Sequence, residues 1–167
     1  MEKESIGRKT AFLGMAVALA LIVSYVESLI PFPVGIPGAK LGLTNIVILI
    51  VLYQRGFHDA VLVSVVRIVA AGFLFGNLSA ILYSLAGAAA SLCVMQLLKR
   101  AEDQGKGFSM VGVSIAGGAA HNLGQLVIAV CVVENGSLFY YLPFLIVAGV
   151  VTGMCIGVAA REILKRL

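Results

Sequence analysis

Three hydrogen-bonding side chains interrupt an otherwise apolar stretch, AGGAAHNLGQLVIAV, at residues 116–130. On a helix, Ser114, His121 and Gln125 would share one face, and Asn122 would lie beside them. Polar side chains at the depth of a membrane usually face the protein interior or a watery cavity. Three such residues within five positions favour a ligand cavity. The alternative is that they only form hydrogen bonds between helices.

A single arginine lies near the centre of a second apolar stretch, AVLVSVVRIVAAGFLF. Placing Arg67 at the centre of a membrane helix costs about 2.5–3.5 kcal/mol on insertion scales, so we expect a compensating partner. Six of the eight acidic residues lie in predicted tails or loops on one side, and only Glu27 and Glu134 lie toward the other. If Glu27 pairs with Lys40, a bound anion becomes the expected partner, because a guanidinium matches carboxylate and phosphate geometry.

Other polar residues could complete this anion site. The segment PGAKLGLTN places Lys40 just before a predicted helix, whose first N–H groups would point toward an anion. Further hydrogen-bonding groups lie in the second predicted segment, just after the third, and in the fourth. The predicted binding residues are Lys40, Asn45, Arg67, Asn77, Tyr83, Ser84, Ser114, His121, Asn122 and Gln125.

The composition indicates which elements must position these residues. Of 167 residues, 60% are hydrophobic and 12% are charged, whereas soluble domains are about a quarter charged. A bilayer core about 30 Å thick needs roughly 20 helical residues. We predict an all-α membrane protein, a single domain over residues 1–167, with helices at about 10–30, 41–54, 59–75, 79–98, 110–133 and 138–160. The second helix is short for a full crossing and could be partly re-entrant.

Basic residues predict the orientation of this bundle. Ten of the twelve Lys and Arg residues lie on the side that carries both termini. The opposite side has only Lys40, and Arg67 lies within a span. Because basic loops stay in the cytoplasm, we predict a multi-pass protein of the bacterial cytoplasmic membrane with both termini cytoplasmic. We expect no nucleic-acid partner, since the basic residues follow topology and form no aromatic-laced soluble surface.

Small residues recur every four positions on two helices, a spacing that lets another helix approach closely. On the sixth helix they are Gly149, Gly153 and Gly157. On the first helix they form two pairs, Gly14/Ala18 and Ala16/Ala20. We interpret the sixth-helix stripe as packing within the protein, whereas the first-helix stripe could face a partner protein.

Several catalytic motifs are missing from the sequence. There is no GxxxxGK[ST] phosphate loop, so we expect this chain not to hydrolyse ATP. The two aspartates, Asp59 and Asp103, are far apart, whereas magnesium-dependent diphosphate chemistry needs clustered carboxylates. We therefore expect no metal, no cofactor and no catalytic residues, and a role in binding or translocation.

Four blocks carry a resemblance to one bacterial membrane family over about residues 10–160. They are PGAKLGLTNIVILIVLY, SVVRIVAAGFLFG, YSLAGAAASLCVM and FSMVGVSIAGGAAHNLGQL. These blocks resemble the Gx transporter family, which is also labelled heptaprenyl diphosphate synthase component I. More loosely, the arrangement is similar to the substrate-binding S components of energy-coupling-factor importers. Those six-helix proteins pair with a transmembrane coupling subunit and two ATPases.

The resemblance implies an S-component-like bundle that binds a vitamin, a cofactor precursor, or a quinone or isoprenoid precursor with an anionic group. It also implies a coupling subunit and ATPases on other chains, with docking on the first helix at Gly14, Ala16, Ala18 and Ala20. The main alternative is a membrane accessory component of heptaprenyl diphosphate or quinone synthesis. A third interpretation is a structural membrane protein whose polar residues only join helices.

Overall fold

A computed structural model describes residues 6–29 and 42–166. Within these residues the chain is helical throughout its regular structure, which confirms the predicted all-α bundle. The helices are α1 (Ile6–Ser28), α2 (Asn45–Gln54), α3 (Phe57–Phe75), α4 (Leu78–Asp103), α5 (Met110–Val133) and α6 (Leu142–Leu164). A short 3-10 helix, Gly136–Tyr141, leads into α6.

Five of these helices are long and apolar enough to cross a membrane. Large apolar side chains cover their outward surfaces, for example Leu19 on α1, Phe73 on α3 and Val147 on α6. Contiguous apolar surface of this extent is rare on soluble monomers. The helices and their surface therefore support a multi-pass membrane protein.

The helix α2 is the short element that the sequence predicted. Its ten residues span about 15 Å, which is half of a bilayer core about 30 Å thick. Arg55 and Gly56 join its end to the start of α3 at one face of the bundle. Its first residue, Asn45, therefore lies about half-way across, so that the backbone N–H groups at its start point into the middle of the protein.

Glycine contacts hold α5 between α4 and α6, its main packing partners. A Cβ added to Gly149 would lie 2.6 Å from the Gly118 carbonyl oxygen, and one added to Gly124 would lie 2.7 Å from the Ala86 carbonyl oxygen. These backbones can approach so closely only because no side chain separates them. Internal packing by the predicted stripe on α6, Gly149, Gly153 and Gly157, is confirmed.

The small residues of α1 lie on two different sides of the helix, and their predicted contact with a partner protein stays a prediction. Ala16 and Ala20 are buried in the core, where Ala20 is 0% exposed, whereas Gly14 and Ala18 are exposed. The two pairs are offset by two residues, which is about 200° around a helix. The two pairs therefore face opposite directions, and Gly14 and Ala18 form the exposed pair.

Candidate functional site

Buried polar side chains from α1, the start of α2, α3 and α5 meet inside the bundle. We call this group the Arg67 cluster; it consists of Ser24, Glu27, Thr44, Asn45, Arg67, His121 and Gln125. Each of them is almost completely shielded from solvent. Burying so many polar groups costs free energy unless they find partners, so the partners of each one decide what the cluster can do.

Glu27 of α1 binds the start of α2. Its Oε1 accepts hydrogen bonds from the backbone N–H groups of Gly42 and Leu43, the latter at 3.1 Å. Its Oε2 accepts a hydrogen bond from Thr44 Oγ1 at 3.3 Å. The first N–H groups of a helix have no partner within the helix and carry partial positive charge. The Glu27 carboxylate is therefore an internal anion at the start of the half-length helix.

Two hydroxyl groups connect Glu27 to Arg67. Arg67 Nη1 donates to Ser24 Oγ at 3.4 Å, and Ser24 Oγ lies 2.9 Å from Thr44 Oγ1. Because Thr44 donates to Glu27, the Ser24 hydroxyl can donate to Thr44, which gives a chain running from the cation to the carboxylate. Opposite charges at its two ends attract each other across this chain.

Arg67 lies in the middle of α3 and is only 3% exposed. Its Nε atom is buried and has no hydrogen-bond partner among the residues that the structure describes. Nearly all buried donors in folded proteins are paired. The guanidinium therefore has a donor left over for a group that is not part of the described chain.

His121 and Gln125 lie one turn apart on α5 and form a hydrogen bond between the Nε2 atoms of the two side chains. With Gln125 donating, a neutral imidazole carries its proton on Nδ1. Nδ1 is buried against Gly87 of α4 and makes no hydrogen bond of acceptable geometry within the described residues. The positive charge of Arg67 acts on this ring. Within the described residues, Nδ1 is thus a second cluster nitrogen that has only the Gly87 backbone nearby and no well-formed hydrogen bond.

The start of α2 brings α5 close to α3, although neither α3 nor α5 has the other as a main packing partner. A Cβ added to Gly42 would lie 3.2 Å from both Asn45 Nδ2 and His121 Cδ2. Gly42 has φ +84°, a conformation that favours glycine. The half-length helix therefore joins the Glu27 and Arg67 side of the cluster to the His121 side.

The structure brings together four of the residues predicted to bind a ligand, namely Asn45, Arg67, His121 and Gln125. Ser84 is also buried, one turn from Gly87 on α4. Lys40 lies outside the described residues.

Four other predicted residues lie outside the Arg67 cluster, and their binding role stays a prediction. Asn122 Nδ2 donates to the Leu145 carbonyl oxygen at 2.7 Å, so it joins α5 to α6. Ser114 packs against the α6 glycines, and Tyr83 lies in an apolar cluster between α4, α5 and α6. Asn77 is exposed and caps α4 by accepting from the Ala80 N–H at 2.8 Å. A shared helical face or a polar residue type did not distinguish these structural roles from ligand binding.

The sequence prediction did not include three members of the Arg67 cluster, Ser24, Glu27 and Thr44, or Gly87, which lies against His121. One signal was present, because Ser24 and Glu27 are three residues apart and share a helical face near the end of an apolar span. The sequence prediction instead paired Glu27 with Lys40, so it did not assign Ser24 and Glu27 to the site. Gly87 gives no signal in one sequence, since its role depends on the proximity of α4 to His121.

The Arg67 cluster can donate hydrogen bonds to a ligand from nitrogen atoms that the surrounding helices hold in place. Among the described residues, no group of three or more His, Cys, Asp or Glu side chains is placed to hold a metal ion. Arg67 Nε and His121 Nδ1 could each pair with an oxygen acceptor of a small molecule. The arrangement is therefore suited to binding an oxygen-bearing group in the interior of the bundle.

Comparison with known families gives one result. The family model for heptaprenyl diphosphate synthase component I matches residues 16–163, a range that contains the whole Arg67 cluster. No curated protein and no solved structure matches the chain. The matched range covers nearly the entire sequence, from within α1 to the end of α6. The chain therefore belongs to the heptaprenyl diphosphate synthase component I family.

Proposed function

We propose that this chain is a substrate-binding subunit of an energy-coupled importer in the bacterial cytoplasmic membrane. Its substrate would be a vitamin, cofactor precursor, or quinone or isoprenoid precursor, held by an oxygen-bearing group at the Arg67 cluster. The coupling subunit and the ATPases would be supplied by other chains. The proposal combines the site's geometry with the loose resemblance of the sequence to S components.

The observation that carries the proposal is the Nε of Arg67, a buried arginine in the middle of a membrane helix, which has no hydrogen-bond partner within residues 6–29 and 42–166. Leaving a buried donor unpaired costs about 1–3 kcal/mol, and more when the group is charged. A ligand oxygen at Arg67 Nε would remove this cost. His121 Nδ1 offers a second position in the same cluster.

Because Glu27 is itself negatively charged, the ligand does not have to carry a negative charge to compensate Arg67. The sequence suggested that Arg67 needs a bound anion, but the described structure already places the Glu27 carboxylate within electrostatic reach of Arg67. A ligand oxygen is then needed as a hydrogen-bond acceptor, and a full negative charge is no longer required for compensation. Carbonyl and carboxylate groups both satisfy this requirement.

We propose a binding role and not a catalytic one. The Glu27 oxygens already accept hydrogen bonds from Gly42, Leu43 and Thr44. A general base must be able to reach a proton on the substrate. In the described part of the cluster, the carboxylate is instead engaged in holding the start of α2.

A second candidate function is an accessory role in heptaprenyl diphosphate synthesis, and the name of the matching family model favours it. In that role the membrane bundle would associate with a soluble prenyl synthase that carries the catalytic carboxylates. The two functions differ in the proteins that should copurify. An importer subunit should bring a membrane coupling protein and ATPases, whereas an accessory component should bring a prenyl synthase.

Native mass spectrometry of the protein purified from its own membranes tests the proposal. We expect a bound small molecule on the wild-type chain, less of it on Arg67→Ala, and an unchanged amount on Val66→Ala. Val66 is adjacent in sequence but exposed, so it controls for the loss of side-chain volume. Equal amounts on wild type and Arg67→Ala, or no molecule on either, would return the cluster to a role in joining helices.

A further inference from the structure

We propose that the ligand of the Arg67 cluster is a single-chain amphiphile whose hydrocarbon tail lies in a groove between α3 and α4. The inference rests on the proposed binding function and adds the chemical class of the ligand. The α3–α4 groove has a volume of about 400 Å³. Its lining is nearly all apolar and includes Val61, Val65 and Ile68 of α3 and Leu85 and Ala89 of α4.

The groove runs along the first half of α3 and ends near Arg67. Along α3 its lining runs from Phe57, at the start of the helix, to Ile68, which is next to Arg67. The eleven residue-to-residue steps from Phe57 to Ile68 correspond to about 16 Å of helix. Beyond Ile68 the helices close on each other, because the Ile81 side chain occupies the space where a side chain on Gly72 would lie. A tail in the groove would therefore end beside the cluster.

Ser64 links the groove to the cluster. It brings a hydroxyl group to the apolar lining, is 1% exposed, and its Oγ has no hydrogen-bond partner among the described residues. Ser64 and Arg67 are three residues apart and share one side of α3. Ser64 Oγ in the groove lining and Arg67 Nε behind it, both without a partner in the described part of the chain, thus belong to residues one turn apart on α3.

An ordinary phospholipid does not match this pattern. Its polar head lies at the membrane surface, and the end of its acyl chain reaches the middle of the bilayer. Such a chain would leave Ser64 and Arg67 without partners at the depth where unpaired polar groups cost most. An amphiphile with its oxygen-bearing head at Ser64 and Arg67, and its tail toward Phe57, pairs both groups.

The charges of the described cluster limit the head group. Arg67 already faces the Glu27 carboxylate, so a head with several negative charges would be poorly compensated in a medium of low dielectric constant. A neutral carbonyl or a single carboxylate is compatible with the cluster. A quinone-type ring on one alkyl or isoprenoid chain has both the head and the tail that this inference requires.

Calorimetry on the full chain in detergent tests the inference with two probes. One is a benzoquinone that bears a ten-carbon alkyl chain, and the other is the same ring without the chain. We expect the tailed probe to bind at least about tenfold more tightly, because burying several methylene groups favours binding. Val65→Phe narrows the groove and should remove that advantage, whereas Val66→Phe should retain it. The two valines are matched neighbours, 43% and 42% exposed, and only Val65 lines the groove.

The outcomes separate this inference from the proposed function. Equal affinity for the two probes, or equal effects of Val65→Phe and Val66→Phe, overturns the tail site. If Arg67→Ala then still abolishes binding of the tailless ring, the head site stands. Displacement of the tailed probe by phosphatidylglycerol, with the same sensitivity to Val65→Phe, would make the groove a site for ordinary lipid. Binding of neither probe would overturn the quinone-type head, and native mass spectrometry would still decide the proposed function.

Discussion

Glu27 and Arg67 lie at opposite ends of one hydrogen-bonded chain that crosses three helices. The guanidinium donates to Ser24, and Thr44, which lies 2.9 Å from Ser24, donates to the Glu27 carboxylate. The same carboxylate holds the first N–H groups of α2. Replacing either charged residue should therefore alter the position of the start of α2. Because Gly42 contacts His121, the position of that ring should change as well.

Replacing Glu27 should destabilise the bundle. Glu27→Ala would leave the Gly42 and Leu43 N–H groups unpaired, at a cost of about 1–3 kcal/mol each, and Arg67 uncompensated. Glu27→Gln preserves the shape but removes the charge, so it should lower the melting temperature by less. Thermal unfolding in detergent measures both effects.

A control variant and a double variant test whether the effect of Glu27 depends on its burial and on Arg67. Glu134→Gln removes an exposed charge at the end of α5 and should leave the melting temperature unchanged. The double variant Glu27→Gln/Arg67→Gln should be more stable than the sum of the single effects predicts, because residues in one network are coupled. Strict additivity would show that the two charges do not interact.

Arg67 and Gln125 should control affinity for the copurified small molecule. Arg67→Lys keeps the charge but loses the planar guanidinium, so it should weaken binding, and Arg67→Ala should weaken it further. Gln125→Ala should cost about 1–3 kcal/mol, because His121 loses its partner and the ligand loses an oriented ring. Calorimetry on folded, monodisperse variants gives the affinities, with Val66→Ala as the control. Wild-type affinity in both Arg67→Ala and Gln125→Ala would rule out the cluster as the binding site.

The fold was largely predictable from the sequence because hydrophobic length determines membrane helices. The predicted span 110–133 coincides with α5, and the shortness of the second span anticipated the half-length α2. Helix ends elsewhere differ by a few residues. At α4, for example, the helix continues to Asp103 because a charged surface segment can remain helical beyond the apolar span.

The site was only partly predictable, since the spacing of residues along one helix does not show which neighbouring helix each side chain contacts. His121 and Asn122 are adjacent in sequence, yet one meets Gly87 of α4 and the other donates to Leu145 of α6. The described partners of Glu27, which are Gly42, Leu43 and Thr44, were missed for the same reason. The contact between Glu27 of α1 and the start of α2 is a tertiary contact that no local pattern contains.

The orientation predicted from the basic residues can be tested by cysteine labelling. The three native cysteines, Cys93, Cys131 and Cys155, are exposed and would first be replaced. Gln104→Cys, between α4 and α5, should not react with an impermeant maleimide in intact cells, whereas Ser137→Cys, before α6, should react. Labelling in the reverse pattern would show that the termini lie outside the cytoplasm.

The exposed side of α1 is the proposed contact for a coupling subunit. Ala18→Trp should weaken copurification of that subunit about fivefold to a hundredfold, from an overpacking cost of about 1–3 kcal/mol, without reducing ligand binding. Ala20→Trp should instead disturb folding, because Ala20 is completely buried. Val147→Trp, on the exposed side of α6, is the control. An Ala18→Trp protein that retains its partner would place the docking surface elsewhere.

Gly87 should be required for the position of His121 and not for folding. A Cβ at position 87 would lie 2.9 Å from both His121 Nδ1 and Gln125 Cγ, closer than real Cβ contacts allow. Gly87→Ala should therefore displace the imidazole and lower affinity for the copurified small molecule by about tenfold or more, the effect of losing one well-placed hydrogen bond to a buried group. The melting temperature should change little, since alanine favours the α4 helix by up to about 1 kcal/mol and offsets part of the strain. Gly112→Ala is the matched control, because its added Cβ would have only Ser109 Oγ nearby, at 3.7 Å. A Gly87→Ala protein with wild-type affinity would show that the His121 ring does not contact the ligand.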